Sequence, residues 1–307
     1  MDALEAESQR LLHASLARST QVTYTNCIEK FANFRFNHGL VQAWPVTLQS
    51  ITAFIAFMSL AAYAPSTIFT HIAALSFVHK INSWPDPTQS FVIKKLREGL
   101  KRQGHHTDSR QPITYKLLGR LIDVLPSVCS SVYEISLFKA AFLVSFFGFL
   151  RVGEFTTSSK QSDISHVILF SDVLFIEGGM EITLRYSKTD QRGVSTPLYF
   201  QGSRNPLLCP VRAMSQFLQA RGPSEGPLFI HFNREPLTRY QFSQVLKKCV
   251  RVIGLSPRDF GPHSFRIGAA SSAAMCGLSD SDIQALGRWK SAAFKLYIRP
   301  GQFDSLF

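Results

Sequence analysis

Acidic residues are scarce in this chain of 307 residues. Asp and Glu number 21 against 33 Lys and Arg, a formal net charge of +12. A surplus of that size favours polyanionic partners, nucleic acid or an anionic membrane face. A basic soluble protein with no such partner would carry the same number. Long hydrophobic runs are also missing. The longest, residues 51–64 and 140–150, are too short for a bilayer and contain Ser or Thr, so they read as buried helices and no membrane partner is expected. Cysteines are few and odd in number (Cys27, Cys129, Cys209, Cys249, Cys276), with no Cys-x-x-Cys. That points to a reducing compartment and no zinc site. His105 and His106 form an isolated pair, read as a solvated loop rather than metal ligands. The start, MDALEAESQRLL, lacks the apolar stretch of a secretory leader, and none is expected. There is no GxxxxGK[ST] loop, carboxylate cluster, internal repeat or low-complexity tract.

What is present is a globular composition, 45% hydrophobic and 18% charged, long enough for two domains. Residues 1–15 read as an extension. Residues 16–103 read as helical. Ser19 or Thr20 is the expected N-cap of a helix through Val22, Ile28, Phe31 and Phe34. Thr47 is expected to cap a second, through Ile51, Phe54, Ile55 and Met58, and Ser66 a third, through Ile68, Ile72, Leu75 and Val78. A fourth, SFVIKKLREGLKRQ, carries Lys94, Lys95, Arg97, Lys101 and Arg102. A solvated face is one reading of these five, a DNA-binding face the other. Residues 104–111 are polar, begin with glycine and lack apolar periodicity, so they read as a linker into a second domain over 112–307. There ISLFKAAFLVSFFGFL is too apolar for a surface helix. MEITLRYSKTDQRGVSTPLYF holds two strand-like runs, 181–186 and 194–200, around a polar turn. Further amphipathic helices follow.

The residues with chemical potential cluster in this second half. In PHSFRIGAASSAA, His263 and Arg266 stand one turn apart on one helical face, followed by small residues that allow another backbone to approach closely. A charge in such a place needs a partner, an internal carboxylate or an external anion. GFLRVGEF sets Arg151 at the end of the most apolar helix, with Glu154 three residues on to hold it. The structural reading is a helix-terminal ion pair, the functional one a second guanidinium aimed at a phosphate. YSKTDQRG puts Lys188 at the hairpin tip, either solvated or placed to protonate a leaving oxygen. ALGRWKS places Trp289 after Gly287 ends a short helix that Ser279 and Asp282 would cap. That tryptophan is either core or an N–H donor beside a phosphate. Ser291 would cap a last helix carrying Tyr297, a candidate nucleophile.

Together these resemble the tyrosine recombinases, the phage-integrase and Xer-type enzymes, with type IB topoisomerases as relatives. That family's order is an arginine, a hairpin lysine, His-x-x-Arg, a histidine or tryptophan, then the tyrosine. All six occur here in that order, as Arg151, Lys188, His263, Arg266, Trp289 and Tyr297, with Glu154 completing Arg-x-x-Glu. The interval from Trp289 to Tyr297 is one residue shorter than in the well-known members. LRYSKTDQRG and CPVRAM look most like recombinases of eukaryotic mobile elements, the DIRS-like retroelements and cryptons.

The resemblance implies a mainly α fold with a small antiparallel β-sheet. An N-terminal helical, SAM-like core-binding domain would clamp DNA, and an α+β catalytic domain would cut it. It implies attack by Tyr297 on a DNA phosphate to give a 3′-phosphotyrosyl bond. Arg151 and Arg266 would clamp the phosphate oxygens, Lys188 would protonate the departing 5′-oxygen, and His263 would assist proton movement. Trp289 would donate to the phosphate or pack the site shut. No metal, ATP or other cofactor is implied, because the guanidiniums supply the positive charge and the phosphotyrosine conserves the bond. The implied partner is double-stranded DNA, bound by a homotetramer, in the nucleus if the host is eukaryotic. Type IB-like DNA relaxation, or DNA binding without cleavage in a domesticated copy, remain open as alternatives.

Overall fold

The computed structural model describes residues 2–103, 109–161, 164–186 and 195–299. The chain divides into two compact units between Asp108 and Ser109. The first unit is helical: α1 (Asp2–Ala14), α2 (Arg18–Asn37), α3 (Leu48–Leu60), α4 (Pro65–Ile81) and α5 (Phe91–Gln103). Phe31, Phe34, Ile51, Phe54, Met58, Ile68, Ile72, Leu75 and Ile93 form its core. The expected cap at Thr47 is present, accepting from Ser50 N–H. The other two expected caps are two or three residues off. Helix α2 starts from Ala17, so Ser19 and Thr20 lie inside it, and Val22 is exposed. Helix α4 starts at Pro65, whose missing N–H is harmless in the first turn, so Ser66 also lies inside. The five basic residues of α5 are all exposed, with Ile93 as the helix's buried contact. Of the expected linker, residues 104–108 lie outside the described residues.

The second unit packs helices around α8 (Val132–Phe147), of which Leu137, Phe138 and residues 140–146 are buried. Its other helices are α6 (Tyr115–Asp123), α7 (Leu125–Val128), α9 (Val152–Phe155), α10 (Pro210–Arg221), α11 (Arg239–Val252), α12 (His263–Met275) and α13 (Asp280–Leu286). One antiparallel sheet has the order β1 (Val173–Ile176), β2 (Gly179–Leu184), β3 (Thr196–Gln201). In β2 alternate side chains Met180, Ile182 and Leu184 are buried, the period of a half-covered strand. Its partner residues run from Gly179↔Gln201 to Leu184↔Thr196. The expected hairpin is thus β2 and β3. Strand β1 was not expected, because its Val-Leu-Phe-Ile run is short and three of the four residues are exposed. A mainly α fold with a small antiparallel sheet is what the sequence led one to expect.

Helix α12 runs through the second unit against the segment at Ile113, whose N–H donates to Ser264 O at 3.0 Å. A Cβ on Gly268 would stand 1.8 Å from Ile113 O and 2.5 Å from Ile113 C. Helix propensity favours Ala over Gly by about 1 kcal/mol. A backbone collision outweighs that, because overpacking costs about 1–3 kcal/mol even where side chains can yield. Gly268→Ala is therefore expected to destabilise the second unit by roughly 2 kcal/mol or more. Urea unfolding checks this, and an unchanged or raised midpoint would refute the close approach.

Candidate active site

Three chain segments converge beside α12. The first is the exit from α8. After Gly148 the chain turns through Phe149, a non-glycine residue with φ +48°, and reaches Arg151, which starts α9. Glu154, 5% exposed, folds back on that start. It accepts from Arg151 N–H at 2.9 Å and from Arg151 Nη1 at 3.0 Å. The helix-terminal ion pair read from the sequence is therefore present.

The second segment is the turn after α13. The Ser279 hydroxyl caps this helix by accepting from Asp282 N–H at 3.1 Å, and Gly287 ends it. Arg288 then adopts φ +55°, and Trp289 folds back so far that a Cβ on Gly287 would lie 1.5 Å from the indole ring. Glycine is needed there for that close approach. The left-handed Arg288 carries the chain through the turn, and Trp289 then faces α12, its ring over the Arg266 guanidinium.

The third segment is a 3₁₀ helix, Ala292–Tyr297. The Ser291 hydroxyl caps it as expected, accepting from Ala293 N–H at 3.4 Å. Its last residue, Tyr297, sets its ring 4.9 Å from the His263 ring and 4.9 Å from the Trp289 ring.

Arg266 stands at the centre, fully buried (0% exposed). Its guanidinium carbon lies 4.1 Å from the Trp289 ring centroid and 5.7 Å from that of Tyr297. Nη1 donates to Phe149 O and Nη2 to Gly287 O, while Nε has no partner among the described residues. Among those residues no carboxylate forms an ion pair with it. Burial first, then the charges of Arg151 and Arg288, pull its pKa down to about 9. It stays protonated at neutral pH, but in a setting that disfavours its charge.

Arg288 is the residue that sequence reasoning missed. Its Nη1 donates to Gly148 O (3.0 Å), and its Nη2 to Phe149 O (3.2 Å) and Glu154 Oε2 (3.0 Å). Burial lowers its pKa as well. No local pattern marks it, since these three partners lie 134 to 140 positions away. The local signal available was an arginine directly after a helix-ending glycine, which has many other readings. Glu154 is thus shared by two guanidiniums. Phe149 O accepts from two as well, and two left-handed residues, Phe149 and Arg288, flank the cluster. Strain of that kind collects at functional sites.

The structure therefore brings Arg151, Glu154, His263, Arg266, Trp289 and Tyr297 together. Lys188 lies outside the described residues. The five basic residues of α5 belong to the other unit. Among the described residues no group of His, Cys, Asp or Glu is placed to hold a metal, and no helix is long and apolar enough to cross a membrane.

A cationic cluster with a tyrosine packed on it, in a helical unit bearing a small sheet, is the arrangement of a tyrosine recombinase catalytic domain. Residues 149–299, which hold every residue of this cluster, match the phage integrase family. That match spans just under half of the chain. It is similar to the "Integrase/recombinase xerD homolog" of Selenomonas ruminantium, 25% identical over 298 residues, covering 94% of this chain and 83% of that protein. Its fold is similar to that of a lambda integrase dimer bound to a COC′ core site. That match has a TM-score of 0.62 and 16% identity, with 96% of this chain and 76% of that one covered. It is also similar to the Tn1549 transposon integrase in complex with circular intermediate DNA, with a TM-score of 0.61 and 14% identity, covering 97% and 95%.

Proposed function

We propose that this chain breaks and rejoins double-stranded DNA through a covalent phosphotyrosine at Tyr297, as a recombinase or integrase of a mobile element. The observation that carries this reading is an imbalance of charge. Among the described residues two guanidiniums, Arg151 and Arg288, share one carboxylate, Glu154, and a third, Arg266, has no carboxylate paired with it. That leaves a net +2 (three positive, one negative) in a largely buried cluster beside a phenol. Buried charge without compensation is unfavourable, and a phosphodiester supplies the missing anion.

The chemistry follows from the placement. Arg151, whose side chain is 21% exposed, meets the phosphate first. Arg266 lies beneath the Trp289 and Tyr297 rings, so those rings shift when the phosphate reaches it. The Tyr297 oxygen then attacks phosphorus, the P–O5′ bond breaks, and a 3′-phosphotyrosine forms. The phenolic proton passes by way of His263, whose ring touches that of Tyr297. The 5′-oxygen takes its proton from Lys188. Arg151 and Arg266 neutralise charge that builds on the non-bridging oxygens. Arg288 acts through others, holding Glu154 and the Phe149 carbonyl in place. Attack by the freed 5′-hydroxyl, on the same or another strand, reverses the step.

Residues 16–103 are the DNA-clamping part in this reading, with Lys94, Lys95, Arg97, Lys101 and Arg102 on phosphates. A homotetramer is the assembly we propose, supported by the lambda integrase tetramer bound to a Holliday junction, a structure similar in fold (TM-score 0.60, 17% identity). An origin among DIRS-like or crypton elements is supported by LRYSKTDQRG and CPVRAM.

The test is direct. Purified protein is incubated with supercoiled plasmid, denatured with detergent and extracted with phenol. DNA is expected to partition with the protein, and digestion should leave a nucleotide on the peptide containing Tyr297. Binding should also fall roughly 10³-fold between about 50 and 200 mM salt, as phosphate contacts release counterions. A flat salt response, or DNA that never partitions with protein, rejects the proposal.

A further inference from the structure

The backbone of the nucleophile is not held by its own helix. Tyr297 ends a 3₁₀ helix, Ala292–Tyr297, closed by a bond from Ile298 N–H to Lys295 O of 3.3 Å. Such helices are short and have poor hydrogen-bond geometry, so they fix a terminal residue weakly. The ring contacts to His263 and Trp289 are non-directional and permit sliding. A side chain from another helix bonds to the main chain on both sides of Ile298. Ser271, on α12 and 1% exposed, donates from its hydroxyl to Tyr297 O at 3.0 Å and accepts from Arg299 N–H at 3.0 Å. Ile298 between them is extended (φ −86°, ψ 115°). The carbonyl before it and the amide after it thus both bind one oxygen.

We infer that Ser271 is a positioning residue for the cleavage step, a clasp that ties the main chain of the nucleophile to the helix bearing His263 and Arg266. The inference rests on Tyr297 being the nucleophile. A serine inside a helix commonly returns its proton to a carbonyl of its own preceding turn, which would give it a merely local role. Here the proton leaves the helix and crosses 26 positions of sequence to Tyr297. Few side chains suit the place. A hydroxyl donates and accepts through one atom, which neither alanine nor a carboxylate can do. It is also small enough for a helix that is buried all round from Ser264 to Ser271. Arg266 and Ser271 lie five positions apart on one rigid helix. A phosphate gripped by the arginine is thereby measured against the tyrosine through a short, stiff path. Displacing a reacting group by about 1 Å costs on the order of 10² in rate.

The experiment compares the parent with Ser271→Ala and Ser271→Thr, using three readings. Hydrogen exchange of the Arg299 amide in free protein reports the clasp without any cleavage. Plasmid affinity reports binding. The rate of covalent trapping at saturating plasmid reports the chemical step. Ser271→Ala is expected to lose protection at the Arg299 amide and to trap DNA about 10- to 100-fold more slowly, with affinity unchanged within two-fold. Ser271→Thr, which keeps the hydroxyl, is expected to restore both protection and rate. A folded Ser271→Ala chain that traps DNA at the parental rate overturns the inference. So does a parallel fall in rate and affinity, or an alanine chain that does not fold, since either makes Ser271 a core strut. A threonine chain with its amide protected and its rate still low overturns it too. Failure of the parent itself to trap DNA on Tyr297 is a separate result, and it removes the nucleophile reading first.

Discussion

A chain with Tyr297→Phe is expected to bind DNA as tightly as its parent and to leave no protein attached to it. The substitution removes one oxygen and keeps the ring that packs on His263 and Trp289, 4.9 Å from each. Folding should therefore be nearly unaffected, and the thermal midpoint should move little. Covalent trapping should fall by at least about 10⁴, the scale on which enzymes lose rate when the nucleophile is deleted. Gel shifts give the affinity, and detergent–phenol partition gives the covalent fraction. Persistent trapping by the phenylalanine chain would move the nucleophile to another of the eight tyrosines. Loss of DNA binding together with cleavage would mean that the ring serves the fold rather than the reaction.

Arg266→Ala is the second substitution with a large expected effect. Removal of one preorganised charge aimed at a transition state typically costs about 10²–10³, and an arginine on a transferring phosphoryl group about 10³–10⁵. A loss of roughly 10³-fold or more in single-turnover trapping is expected. DNA affinity should change little, because many exposed basic residues share the phosphate contacts. Arg266→Lys should rescue poorly, since an ammonium cannot span Phe149 O and Gly287 O with a planar fork. The lowered pKa gives a second signature. The unfolded chain, at the ordinary high value of an arginine, holds this proton more tightly than the folded one, at about 9. The burial penalty is therefore fully present below about pH 9 and eases as pH rises through that value. A bound phosphate offsets the same penalty at neutral pH. Inorganic phosphate should raise the melting temperature of the parent near pH 7 more than that of the alanine chain. An equal rise in both would mean that the cluster does not bind the anion through Arg266.

Much of this site was legible because its signals are local. Arg151 and Glu154 lie three residues apart, His263 and Arg266 share a helical face, and Ser279 and Ser291 announce the helices that present Trp289 and Tyr297. The small residues after Arg266 were read as permitting close backbone approach, and Gly268 against Ile113 O is that approach. The illegible parts depend on distant partners. Arg288 reaches Gly148, Phe149 and Glu154 from far along the chain, and Ser271 reaches Tyr297 and Arg299. Nothing beside either residue advertises those bonds. The partner of Arg266 was expected from outside the chain. The structure adds two backbone carbonyls that hold its fork in readiness. The misplaced caps at Ser19, Thr20 and Ser66 have a different cause. A hydroxyl near a helix start is a common signal, and the alternatives one or two residues away are close in energy.

The tyrosine rests against the histidine, the tryptophan and the buried arginine of its own polypeptide. In the proposed reaction each copy of the chain therefore brings its own tyrosine to its own guanidiniums. In the proposed homotetramer, division of labour among copies would then fall to timing and geometry, to which copies fire together and whose loose ends are exchanged.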